Sequence, residues 1–121
     1  MQELRFHHVG IPTSETLPEE DYNQALKLHA TGYFDSPYAI EWMNFDDDNN
    51  LPDIIKQVPH VAFVVDDIEA ALEGKQIVLP PESPAEGVTV AFILDGRNLI
   101  ELMQFDRPEQ EVWPHPCKFK L

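Results

Sequence analysis

The chain has 121 residues, 43% of them hydrophobic and 25% charged, enough for one modest core in a single domain spanning 1–121. Lys and Arg number 8 against 22 Asp and Glu, a formal charge of −14, which argues against nucleic acid and anionic membrane because both need a basic footprint. The one cysteine, Cys117, allows no internal disulfide, and the polar N-terminus and lack of any apolar run near the roughly 20 residues of a membrane span make a cytoplasmic protein the expectation.

Leu4 to Ile11 reads as a strand, with Phe6, His8 and Gly10 on one face and His7 on the opposite, solvent-facing side. Pro18-Glu19-Glu20-Asp21 has the proline and acids of a helix start. Tyr22, Leu26 and Ala30, with Ala25 and His29, continue it as an i, i+4 stripe to about Thr31, where Gly32 ends it. A strand follows over 38-YAIEWMNF-45, then a polar loop through 46-DDDNN-50 and Pro52. The loop lacks the glycine and terminal glutamate of a calcium loop. A second cycle opens with the strand 58-VPHVAFVV-65 and a short helix, 68-IEAALEG-74, capped by Asp66 or Asp67. The strand 76-QIVLP-80 closes at Pro80-Pro81, and 82–87 is a loop. The segments 88-VTVAFIL-94 and 99-LIELMQF-105 form a hairpin about Asp95-Gly96. Residues 106–121 carry three prolines and no period, and are expected to be irregular and to pack by Trp113 or Phe119.

The two cycles repeat one another. Ile40, Glu41, Met43 and Phe45 align with Ile100, Glu101, Met103 and Phe105, and His8-Val9-Gly10-Ile11 aligns with His60-Val61-Ala62-Phe63. Each half is therefore a strand with a His, a helix, and a strand with a Glu. Duplicated units pack about a pseudo-two-fold axis, so His8, Glu41, His60 and Glu101 are expected to converge. Two imidazoles and two carboxylates suit one divalent ion, Zn²⁺, Ni²⁺, Fe²⁺ or Mn²⁺, with positions left for an oxygen-bearing small molecule. Each Glu also shares its strand face with apolar residues, Ala39 and Met43 or Leu99 and Met103, where a carboxylate is costly unless paired or metal-bound. His29 and His115 have no repeat partner and are read as structural. Arg5, Arg97 and Arg107 are the only arginines, and one facing the ion would anchor an anionic substrate. Tyr33, Phe34, Tyr38 and Trp42 form an aromatic cluster suited to core packing, a substrate wall or a subunit contact.

On His8-Val9-Gly10-Ile11, on His60-Val61-Ala62-Phe63 with 66-DDIEAAL-72, and on Leu99-Ile100-Glu101-Leu102, the chain resembles the vicinal oxygen chelate superfamily. That group holds glyoxalase I, bleomycin-resistance proteins and extradiol dioxygenases. The resemblance implies an α+β fold of two βαβββ modules, the glyoxalase/bleomycin resistance fold, with sheets curled into a cup around a divalent metal. It spans 58–105 as a full second module and 4–45 as a shortened first one, in which no middle hairpin fits between Thr31 and Pro37. The implied activity is metal-dependent lyase or isomerase chemistry on a small oxygenated metabolite, with His8, Glu41, His60 and Glu101 on the metal and Glu41 or Glu101 as base. The same resemblance offers two alternatives: a binding module without turnover, or a ring-cleaving dioxygenase using His8, His60 and Glu101. The shortened module exposes sheet edge, and a homodimer is expected to cover it.

Overall fold

A computed structural model describes residues 2–24 and 26–113. Strand β1 (Arg5–Pro12) is followed by a 3₁₀ turn over Glu19–Asp21. Next come β2 (Tyr22–Asn23), β3 (Leu28–Thr31), β4 (Ile40–Phe45) and helix α1 (Asp53–Gln57). The second half has β5 (His60–Val64), α2 (Ile68–Leu72), β6 (Gln76–Ala85), β7 (Val88–Asp95), β8 (Asn98–Phe105) and the short helix α3 (Glu109–Val112). All eight strands form one curled, mixed sheet in the order β2-β3-β4-β1-β5-β8-β7-β6. The fold is α+β, and no helix among the described residues is long and apolar enough to cross a membrane.

The alternation of β7 and β8 separates two apolar layers. Ala91, Ile93 and Leu102 point to one face and are covered by Val65 and by Ile68 and Leu72 of α2. Asp67 caps that helix by accepting from the Ala70 amide, as its place before an apolar run implies. Leu99 and Phe92 point to the other face, against Leu79 and against Ile55 of α1. Ile55 is 1% exposed, and burying a side chain of that size is worth about 1.5–3 kcal/mol. Met103 joins Ala62, Val88 and Val90 further along that inner face, with Trp113 and Phe105 packed on the end. Trp113 thus anchors the start of the tail, while Ala25, His115, Cys117 and Phe119 lie outside the described residues.

Four readings from the sequence need correction. The helix expected to Thr31 is the hairpin β2–β3, opened by the 3₁₀ turn. Its apparent helical stripe arises because Tyr22 on β2, Leu26 in the turn and Ala30 on β3 all line the same cavity. Asn23 Oδ1 accepts from the Leu26 amide and Lys27 adopts φ of 55°, which is turn chemistry rather than helix. The residues that pair are Leu28 to Thr31 with Phe45 to Trp42, so the hairpin covers the outer edge of β4. The first half therefore keeps its middle strands and lacks a helix, the reverse of the expected truncation. Second, β6 runs through Pro80 and Pro81 to Ala85, with three register irregularities along its pairing to β7. It is an edge strand, and Pro80 and Pro81 fall in the register irregularity between Leu79 and Glu82, a place where a missing N–H is tolerated. Third, α1 follows Pro52 where a loop was expected, and α3 occupies part of the expected irregular tail. The fourth concerns His7.

Candidate metal centre

The sheet's two middle strands, β1 and β5, run antiparallel with Val9 opposite Val61, His8 opposite Ala62 and Gly10 opposite His60. The outer neighbours repeat one register: Gly10 pairs with Glu41 across β1–β4, and Ala62 with Glu101 across β5–β8, both parallel. The sequence repeat is thus a repeat of strand pairing, centred on the Val9–Val61 pair. It brings His8, His60 and Glu101 together on the inner face, all buried, with one donor atom of each within 4.8 Å of the others.

His60 is 2% exposed and fits only because residue 10 is glycine. A Cβ there would lie 2.2 Å from the His60 ring. Gly10 is therefore a steric requirement of the site, and its signal in the sequence is the Gly10/Ala62 mismatch between otherwise matched strands.

Glu101 Oε1 lies 3.1 Å from His60 Nε2 and 3.3 Å from His8 Nε2. Among the described residues neither nitrogen has a hydrogen-bond partner, and His60 Nδ1 has none either. Buried polar atoms are nearly always satisfied, so two orphaned imidazole nitrogens converging on one carboxylate oxygen call for a further partner. Two nitrogens and one oxygen are a ligand set for a divalent transition ion, and the residues fit one. Burial raises the Glu101 pKa, but the attraction of His60 and His8 outweighs it and holds the carboxyl at about 2, ionised as a ligand must be. Burial pushes His8 down, and Glu101 overcompensates, so its pKa is raised.

Glu41 stands apart from its repeat partner. Its Oε1 is 3.8 Å from His8 Nε2, its side chain is 23% exposed, and it is not in the tight three-residue group. Burial raises its pKa, His8 opposes this in part, and Glu101 adds to the rise. The two glutamates that the repeat equates are thus driven in opposite directions.

His7 was read as solvent-facing, yet it is 6% exposed. The register shifts between Phe6 and His8, so residue 7 is a β-bulge, and the bulge turns His7 to the same side as His8. His8 Nδ1 lies 2.6 Å from His7 Nδ1, and His7 Nε2 lies 2.6 Å from Glu109 Oε1. Tyr33 donates its hydroxyl to Glu109 Oε2 at 2.9 Å. With His8 Nε2 directed to a cation, Nδ1–H donates to His7 and His7 Nε2–H donates to Glu109, a chain that fixes the His8 ring and its tautomer. The sequence offered the adjacent histidines as a signal; a bulge is not readable from residue types.

His8 and Glu101 line a cavity of about 560 Å³, with His60 behind them, and its walls include Met43, Met103, Phe92, Tyr33, Phe34 and Trp113. Of the aromatic cluster, Tyr33 and Phe34 reach this cavity, whereas Tyr38 and Trp42 are exposed. No arginine faces it: Arg5 pairs with Glu3 and Asp66, Arg107 pairs with Asp106 and Glu86, and Arg97 sits in the β7–β8 turn. His29 lies on β3 beside Glu19, 3.3 Å away, as a structural contact. No protein-family model matches the chain, and no curated protein does.

Proposed function

We propose that the protein is a metal-dependent lyase or isomerase of the vicinal oxygen chelate type, acting on a small oxygenated metabolite. The observation that carries this reading is the buried His8–His60–Glu101 set, in which His8 Nε2 and both His60 ring nitrogens lack hydrogen bonds among the described residues and His8 and Glu101 line a cavity. The strand order, which runs outward from β1–β5 as β4-β3-β2 on one side and β8-β7-β6 on the other, supports two βαβββ-type modules in which the first helix has shrunk to a 3₁₀ turn. A homodimer belongs to the same reading, now covering the outermost strands β2 and β6.

His8, His60 and Glu101 would hold the ion. Bound there, a divalent ion supplies Lewis acidity to a substrate oxygen. Glu101, ionised and buried, provides the charge that keeps the set together. Glu41, at the cavity wall with a raised pKa, is the group suited to take a proton from the carbon beside that oxygen and return it. The surrounding Met43, Met103 and Phe92 exclude water from the exchange. Metal analysis of protein purified without chelator tests the site: about one ion per chain is expected, lost in His60→Ala and in Glu101→Ala. The chemistry is tested by α-C–H exchange of hydroxyketones in D₂O, expected with the metal-loaded protein and lost in Glu41→Gln. Absence of metal at neutral pH would sink the reading and leave a binding module without turnover.

A second reading is favoured by one observation. The compact group contains two imidazoles and one carboxylate, without Glu41, which is the ligand pattern of non-haem iron oxygenases. Oxygen uptake by the Fe²⁺-loaded protein with a catechol, and none with a hydroxyketone, would select ring cleavage over isomerisation.

A further inference from the structure

The cavity above the metal centre carries a one-sided charge pattern. Glu20 and Asp21, from the 3₁₀ turn beside one edge of the sheet, and Glu82, from β6 at the other edge, line the same cavity. None of the three has an ion-pair partner among the described residues. Glu41 and Glu101 add carboxylates deeper in. No Lys or Arg among the described residues lines the cavity. Lys27 is held at Asp48 and Lys56 at the Asn49 carbonyl, both turned to other contacts. The interior is aromatic and sulfur-rich, through Tyr33, Phe34, Phe92, Trp113, Met43 and Met103. At its floor His8, 4% exposed, presents an Nε2 with no hydrogen bond.

These features select by charge. A cavity lined from two sheet edges by carboxylates without ion-pair partners among the described residues, on a chain of net charge −14, lowers the local concentration of anions and raises that of cations. Aromatic walls favour a flat apolar body, and ring faces add attraction for an ammonium group. A substrate bearing a carboxylate or phosphate would meet no Lys or Arg among the described residues that line the cavity.

We infer that the pocket takes an uncharged or cationic molecule with an aromatic or compact apolar body and adjacent oxygens, and discriminates against anionic ones. This rests on the proposed metal site for the oxygen-binding end, while the charge preference belongs to the cavity walls and stands independently.

Calorimetric titration with three probes sharing one chelating head separates the two. The probes are 4-(2-aminoethyl)catechol, 4-ethylcatechol and 3,4-dihydroxyphenylacetate, titrated anaerobically into metal-free and Co²⁺-loaded full-length protein. The expected order is cation, then neutral, then anion, with the cation bound at least about tenfold more tightly than the anion at low salt and the gap narrowing in 0.5 M salt. The triple variant Glu20→Gln, Asp21→Asn, Glu82→Gln removes three cavity-lining charges outside the His8–His60–Glu101 group, and is expected to lose most of that gap while binding the neutral probe unchanged. Identical affinities with and without Co²⁺, with the charge order intact, would uphold the inference and remove the metal reading. An anion bound as tightly as the cation, a gap untouched by the triple variant, or no binding of any probe overturns it.

Discussion

β1 with β4 and β5 with β8 pair in the same parallel register, but only the second pair gives its carboxylate to the buried group. Glu101 is sunk between two imidazoles and held ionised; Glu41 sits 3.8 Å from one of them, partly exposed, with its pKa raised. Where the first half has Gly10, the second has Ala62, and a Cβ added at the glycine would meet the His60 ring. Where the first half has the bulged His7, the second has Pro59, so His8 Nδ1 has a partner and His60 Nδ1 has none. The two halves share a strand register while the surroundings of equivalent side chains differ. Two equal carboxylates would both be ligands or both be bases; environments that push their pKa values apart allow one of each.

The comparison breaks first if the two glutamates are interchangeable. Glu101→Ala and His60→Ala should each weaken metal binding by on the order of 100-fold or more, whereas Glu41→Ala should cost no more than about tenfold. Competition with a chromogenic chelator measures all three; equal losses at Glu41 and Glu101 would restore the symmetric quartet. Next come the matched small residues. Gly10→Ala should displace the His60 ring, costing about 1–3 kcal/mol of stability as overpacking and most of the metal affinity. Ala62→Gly, at the equivalent place, should cost only about 0.5–1 kcal/mol and leave affinity intact. Urea melts of both variants, with and without metal, decide this. Third, the histidine chain exists in one half only. Glu109→Gln and His7→Ala should lower metal affinity roughly 10- to 100-fold. The ligand-field bands of the bound Co²⁺ should shift as His8 loses its fixed tautomer, a change that mere loss of packing would not produce. The mildest test leaves the site alone. Asn49 is 5% exposed and donates to the Leu26 and Lys27 carbonyls, tying down the β2–β3 hairpin. Asn49→Ala should cost roughly 1–3 kcal/mol in urea with metal affinity unchanged, since the hairpin forms wall rather than floor.

The floor was largely legible in the sequence, and of the wall only Tyr33 and Phe34 were. His8, His60 and Glu101 could be found because they repeat, and strand pairing respects a repeat residue by residue. The apolar flanks Leu99 and Met103 already implied that Glu101 faces inward, as it does. The different fate of Glu41 was hidden, because it depends on a few ångströms of side-chain placement. The β2–β3 hairpin failed for a different reason. Tyr22, Leu26 and Ala30 satisfy a helical period and also a turn between two short strands, and only the need to pair the edge of β4 decides between them. His7 and α1 show the same limit: a bulge and a one-turn helix are settled by tertiary contacts, with little local signature.

The three side chains that could hold an ion come from β1, β5 and β8, contiguous at the centre of the sheet but drawn from the start, the middle and the last quarter of the chain. An ion held there would act as a clasp, because the unfolded chain cannot keep such distant groups together without surrendering much of its freedom. Its binding free energy would then appear as resistance to heating, with the melting point climbing as metal is added in step with occupancy. Starved of the ion, the same polypeptide should open first along the β1–β5 seam, where amide exchange would report the release.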